Sequence, residues 1–241
     1  MLVDSHCHLF DMKGYTLPAD IAAVVIGYSS GSNHKVVEWG KRGFPVVLGI
    51  APQTAIKEDL SHLEEWMDFI RQNRPKAIGE VGLDYKWAKN AADVEKERMV
   101  FSKMVGLAEE MGLPLVIHSR NKPAEGGAGG VPENAVDDIL AVVRAPFLMH
   151  FFSGDEKQAA RVVEMDGYIS VTHMRSKERR KVINTVPLDR LMVESDAPFV
   201  GRTPESIREA VAYVAEVKNL GSEAVGKRTA ENAMRFFGFR V

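Results

Sequence analysis

The chain has 241 residues, 45% of them hydrophobic and 27% charged, with a formal net charge of −2. This is an ordinary globular composition, and the near-neutral charge excludes a general attraction to phosphate backbones while leaving room for a local basic patch. The single cysteine, Cys7, excludes an internal disulfide and points to a cytoplasmic protein; no signal-peptide pattern and no run of roughly 18 apolar residues is seen, so no membrane association is expected.

Short apolar runs alternate with amphipathic stretches along the whole length. Strands are predicted at 2–8, 21–28, 45–51, 76–81, 115–118, 147–152, 168–172 and 190–195. Their near-continuous apolar character suits parallel strands buried on both faces. A helix is predicted over 58–73, where Leu60, Leu63, Met67 and Ile70 recur at helical spacing. After the last strand, Thr203 is expected to cap a helix with Pro204 in its first position and Ile207, Ala210, Val211, Val214 and Ala215 as its apolar stripe. Strands that are each followed by a helix-sized segment predict an α/β fold, a (β/α)8 TIM barrel forming a single domain over 1–241. The length matches the roughly 250 residues typical of that barrel, and a doubly wound open sheet is the competing architecture. The glycine-rich stretch "EGGAGG" at 125–130 matches no phosphate-binding fingerprint. An ordinary flexible loop is expected there in preference to a lid.

A parallel barrel presents its chemistry at the carboxyl ends of its strands. There the first strand brings His6 and His8, the fourth Glu80, the fifth His118, the sixth His150 and the eighth Asp196. Side chains two apart share a strand face, so His6 and His8 point together, Cys7 points away, and Asp4 lies one layer deeper as a supporting partner or a buried core acid. Alone, the His6/His8 pair reads equally as packed core. Four imidazoles and two carboxylates together exceed a closed structural zinc site and suit two divalent ions that share a carboxylate and leave positions open for water and substrate.

This constellation resembles the TatD family of metal-dependent hydrolases, among the amidohydrolase-like barrels. The resemblance rests on "DSHCHLF" at 4–10, "GEVGLDY" at 79–85, "PLVIHSR" at 114–120, "HFFSG" at 150–154, "VESDAPF" at 193–199 and "ENAMRFF" at 231–237. It implies that His6, His8, Glu80 and Asp196 hold one metal, and that Glu80, His118 and His150 hold the second, with Glu80 as the bridge. It also implies that Asp196 takes a proton from the attacking water, while the metals lower that water's pKa and polarise the phosphoryl oxygen. The activity so implied is a deoxyribonuclease that removes nucleotides from DNA ends, single-stranded or frayed. A metal-dependent acyl or amide hydrolase, such as a D-aminoacyl-tRNA deacylase, is the enzymatic alternative. A metal-stabilised barrel that binds without turnover is the non-enzymatic one. The ions would be Zn, Mn or Mg. The chain departs from the family pattern at "GIAP" (49–52), where Ala51 replaces a histidine, at "GRTPES" (201–206) and at "HMRS" (173–176). These departures bear on the substrate and spare the ligand set.

Around this set, Glu194 competes with Asp196 by spacing alone, and the resemblance favours Asp196. Asp84 reads more simply as a turn acid than as a residue near the metals. Arg120 shares a face with His118 and is a candidate for a substrate phosphate. Tyr85 and Trp87 are candidates for stacking on a nucleobase, although packing is the simpler reading. His173 is a candidate substrate contact. The basic run Arg175, Lys177, Arg179, Arg180, Lys181 reads as a solvated helix face, with a phosphate-backbone role as the alternative. His34 and His62 are expected at the surface.

Overall fold

In a computed structural model, which describes residues 1–122 and 130–241, eight strands form one sheet in the order β1 to β8. They are β1 Leu2–Cys7, β2 Ile21–Ile26, β3 Val46–Leu48, β4 Ala77–Asp84, β5 Leu115–Arg120, β6 Phe147–His150, β7 Tyr168–Val171 and β8 Leu191–Val193. Every neighbouring pair from β1/β2 to β7/β8 is parallel. The seam between β8 and β1 is closed by backbone bonds just beyond β8: Asp196 donates to the His6 carbonyl at 2.9 Å and His8 to the Ala197 carbonyl at 2.8 Å. The sheet is thus wrapped into a (β/α)8 barrel.

The helices are α1 Ser30–Lys41, α2 Pro52–Lys57, α3 Leu63–Asn73, α4 Ala91–Met111, α5 Ala135–Val142, α6 Glu156–Glu164, α7 Lys177–Thr185, α8 Ile207–Lys218 and α9 Ser222–Phe237. Three differ from the sequence reading. The 58–73 stretch splits into a 3-10 turn at Leu60–His62 and α3, and α2 stands as a separate helix with Pro52 in its first turn. Thr203 makes no side-chain cap; it precedes a 3-10 turn at Pro204–Ser206, and α8 starts only at Ile207. β1 is followed by no α-helix, only by a 3-10 turn at Leu9–Asp11. The "EGGAGG" stretch lies outside the described residues apart from Gly130.

Period-two alternation sorts the strand side chains into two cores. Val81, Leu83 and Tyr85 of the β4 segment, with Ile117 and Ile169, join the larger core shared with the surrounding helices. Val24, Ile26, Val47, Val116, Leu148 and Met192 form the smaller one, together with Ala230, Ala233 and Phe237 of α9. That second set fills the barrel and is stopped at its amino-terminal end by α9. Each fully buried large apolar side chain contributes about 1.5–3 kcal/mol. The polar groups are left to the opposite, carboxyl-terminal end.

Candidate metal centre

Residues that share strand faces with the inner apolar set, one layer further along, converge at the mouth. His118 follows Val116 and His150 follows Leu148 by one pleat. In β1 and β4 the register shifts, between Asp4 and Cys7 and between Gly79 and Val81, and these shifts set where His6, His8 and Glu80 fall. Asp196 sits just past β8 in a left-handed backbone conformation (φ 48°), a region that aspartate tolerates better than most residues. All six predicted ligands are buried, with exposures between 0% and 7%.

The two oxygens of Glu80 face different imidazoles. Oε2 lies 3.6 Å from His6 Nε2 and 4.0 Å from His8 Nε2. Oε1 lies 3.0 Å from His118 Nδ1 and 3.4 Å from His150 Nε2. Asp196 closes the first side, with Oδ1 at 3.4 Å from His8 Nε2 and 3.9 Å from His6 Nε2. The rings of His6 and His150 stack at 3.9 Å between centroids.

The donor set fits divalent ions. Both ring nitrogens of His6 are buried without a hydrogen-bond partner, an arrangement that is costly unless something else takes them up. Ligand atoms of His6, His8 and Asp196 lie within 4.8 Å of one another, as do those of His6, Glu80 and His150. Among the described residues, the carboxylates of Glu80 and Asp196 form ion pairs with imidazoles only. Burial by itself would raise the pKa of Glu80, but His150, His118 and His6 outweigh it and hold the carboxyl well below its ordinary range. Burial lowers the pKa of His6, with His150 adding to the effect, so His6 is a neutral imidazole able to ligate.

Further contacts hold these groups in place. His8 Nδ1 donates to the Ile26 carbonyl at 2.8 Å, which leaves Nε2 for the centre. Glu194 Oε2 accepts the Ser170 hydroxyl at 2.5 Å, while Oε1 makes no hydrogen bond and lies 3.5 Å from His150 Nδ1, which has no hydrogen-bond partner either. Glu194 therefore stands beneath His150, deeper than Asp196. The carboxylate of Asp4 is taken up by Ser195 and the His6 backbone N–H, and contacts neither imidazole of β1.

Asp84 is more than the turn acid expected. Its Oδ1 does accept the Trp87 N–H at 3.1 Å, but Oδ2 lies 3.0 Å from His118 Nε2 and accepts from Gln53 Nε2 at 2.7 Å. Gln53, on α2, was missed because no helix was expected there. Arg120 is half-exposed at the mouth with one guanidinium nitrogen 3.6 Å from Asp84.

Tyr85, a candidate for stacking on a base, does not reach the cavity. It is adjacent to Asp84 and so points the other way, into the layer between strands and helices; it is 0% exposed and its hydroxyl donates to Asp138 at 2.5 Å. Its ring is closed to any base. His173 is half-buried after β7 and does not line the cavity over the imidazoles. Within the basic run, Arg175 and Arg180 both pair with Glu216 and Lys181 pairs with Glu178, as a solvated helix face would. Arg179 packs inward over the Phe151 ring. That cavity measures about 560 Å³ and is bordered by Glu80, His118, His150 and Asp196 below, and by Tyr28, Gln53, Lys57, Trp87, Arg120, Phe151 and Phe199 around its walls. Phe199 was overlooked, although its place three residues after Asp196 puts it at the mouth.

A family model described as TatD related DNase matches residues 3–238. An uncharacterized metal-dependent hydrolase of Bacillus subtilis (strain 168), YabD, is 30% identical, with 98% of this chain and 99% of that protein covered. The human deoxyribonuclease TATDN3 is 28% identical, covering 98% of this chain and 94% of its own length. Among solved structures, YJJV, a TatD homolog from Escherichia coli K12, superposes with a TM-score of 0.82 at 22% identity over 99% of this chain and 98% of that one. The last comparison speaks for the fold.

Proposed function

The chain belongs to the TatD related DNase family and is a metal-dependent hydrolase; from that premise we propose that it is a two-metal phosphodiesterase removing nucleotides from DNA ends. The observation that carries this reading is the division of Glu80, one oxygen toward His6 and His8 and the other toward His118 and His150. In this reading His6, His8, Glu80 and Asp196 hold one divalent ion, and Glu80, His118 and His150 hold the other. Bound there, Zn, Mn or Mg would supply a lower pKa for water and polarisation of a phosphoryl oxygen.

The chain's own groups do the rest. The Asp196 carboxylate, fixed at the seam by its backbone bond to His6, takes the proton of the attacking water. The Arg120 guanidinium and the Lys57 ammonium, both on the cavity wall, provide positive charge for the phosphates of an incoming strand. Single-stranded or frayed DNA is the substrate form proposed. The same reading gives a cytoplasmic protein, in keeping with one buried, unpaired cysteine.

The test is release of labelled nucleotides from an end-labelled single-stranded DNA with Mn, Mg or Zn, beside a panel of ester and amide substrates. Nucleotide release that stops with a chelator and in Glu80→Ala is expected. Phosphodiester inertness beside rapid ester or amide turnover would replace this reading with an acyl or amide hydrolase.

A further inference from the structure

Trp87 and Phe199 are the two exposed aromatic side chains among the described residues, at 43% and 61% exposure, and both border the cavity over the imidazoles and carboxylates. Elsewhere the aromatic rings are buried or half-buried. Large apolar rings in water are tolerated singly anywhere, but two gathered at one cleft mark a surface kept open for a ligand.

Their placement is set by the barrel. Trp87 lies in the turn after β4 and Phe199 in the turn after β8. In an eight-stranded ring those strands are four places apart, so the two rings stand on opposite sides of the mouth. Both are anchored through the backbone. The Trp87 N–H donates to the carbonyl and the carboxylate of Asp84, at 3.0 and 3.1 Å, and the Phe199 N–H donates to the Asp196 carbonyl at 2.9 Å. The Lys57 ammonium lies over one face of a Trp87 ring, 4.7 Å from its centre, which places a cation for a phosphate at this side chain and makes the opposite ring face the one a base would stack on. The edge of the Phe199 ring contact runs to His8, 5.0 Å between centroids, so this platform borders the centre itself.

We propose that Trp87 and Phe199 stack the two nucleobases that flank the scissile phosphodiester, one on each side of the mouth. Paired and stacked bases cannot present their faces to rings set apart in this way, so the site takes an unstacked, single-stranded end and reads base faces without selecting a sequence. This inference rests on the phosphodiesterase reading, and its test separates the two.

The first measurement is binding without turnover. Metal-free protein is titrated with deoxyadenosine monophosphate and, separately, with deoxyribose 5-phosphate, following tryptophan fluorescence in the wild type and in Trp87→Phe. Quenching by the nucleotide alone, absent from Trp87→Phe, is expected. The second is the KM for a short single-stranded oligonucleotide with either a normal or an abasic terminal residue. Trp87→Ala and Phe199→Ala should each raise KM for the normal end by about tenfold or more, the loss falling on KM more than on kcat. Trp87→Phe and Phe199→Tyr should restore it, and metal content should be unchanged throughout. The abasic end should bring the wild type down to the level of the alanine variants. Equal KM values for normal and abasic ends, or alanine variants that match the wild type, would overturn the stacking. Quenching by the nucleotide in a protein that hydrolyses no DNA would uphold the stacking and remove the phosphodiesterase reading.

Discussion

Asp4 accepts hydrogen bonds from both the backbone N–H and the hydroxyl of Ser195, at 2.9 and 2.5 Å, across a sequence separation of 191. The same carboxylate accepts the His6 N–H at 3.2 Å. One buried acid thus ties the strand that carries His6 and His8 to the segment that carries Asp196, at the seam where no regular ladder closes the barrel. Asp4→Ala strips partners from two buried donors of Ser195, at a cost of about 2 kcal/mol in unfolding free energy. It should also lower divalent-ion affinity, although Asp4 holds no ion in this account. Asp4→Asn, which can still accept from the backbone, should lose less. Chemical denaturation and calorimetric ion titration give both values; a denaturation midpoint unchanged in Asp4→Ala would show that the seam does not depend on this contact.

Asp84 bonds the His118 ring nitrogen turned away from Glu80 at 3.0 Å, and Glu194 Oε1 stands 3.5 Å from the corresponding nitrogen of His150 as an ion-pair neighbour without a hydrogen bond. Carboxylates in this position fix the ring and raise its basicity, and losing one typically weakens ion binding by about 10- to 100-fold. Asp84→Asn and Glu194→Gln should each fall in that range while the circular dichroism spectrum stays that of the wild type. Ion affinities equal to the wild type in both variants would leave these acids as packing groups only.

Glu97, on α4, is fully buried, with Oε2 accepting the Asp84 N–H at 3.1 Å and Oε1 without a partner. Burial, reinforced by the Asp84 charge, raises its pKa from 4.5 to about 7. An acid whose pKa is higher in the fold stabilises fully below its ordinary value and loses that contribution as the pH climbs through the raised one. Between pH 4.5 and above 7 the loss amounts to about 3 kcal/mol. Glu97→Gln should therefore be more stable than the wild type at pH 8 and nearly level with it at acidic pH. A stability difference that does not change with pH would contradict a raised Glu97.

Gly82 lies in β4 with φ at 137°, and a Cβ there would stand 2.0 Å from the His118 carbonyl oxygen. Gly82→Ala must strain the backbone or push β5 away, costing at least about 3 kcal/mol, or roughly 6 to 12 °C in Tm. Gly106, in the middle of α4, has nothing within 4 Å of its Cβ position. Gly106→Ala should raise Tm by roughly 2 to 4 °C through helix propensity. Thermal unfolding of the pair checks both signs.

The eight strands were legible because parallel barrel strands are apolar on both faces and separated by helix-sized gaps. The cluster of His6, His8, Glu80, His118, His150 and Asp196 was legible because residues at strand ends share one rim, whatever their distance in sequence. Parity should have excluded Tyr85, since it neighbours Asp84 on one strand and must face the helices. The link from Asp84 to His118 and Gln53 joins β4, β5 and α2, and no local pattern announces a contact among three elements. The register shifts in β1 and β4 carry no clear signal either, because they depend on how neighbouring strands pair. Phe199 sat inside a stretch already singled out, yet exposure is a property of the assembled mouth and not of the residue type.

The most direct test of the shared-carboxylate centre is the number of divalent ions bound per chain, measured by elemental analysis after loading with Zn or Mn and removal of excess. Two ions per chain are expected in the wild type, with loss of tight binding at both positions in Glu80→Ala, because each position would use one Glu80 oxygen. A wild type that binds a single ion, or a Glu80→Ala variant that still holds two, would contradict the shared carboxylate.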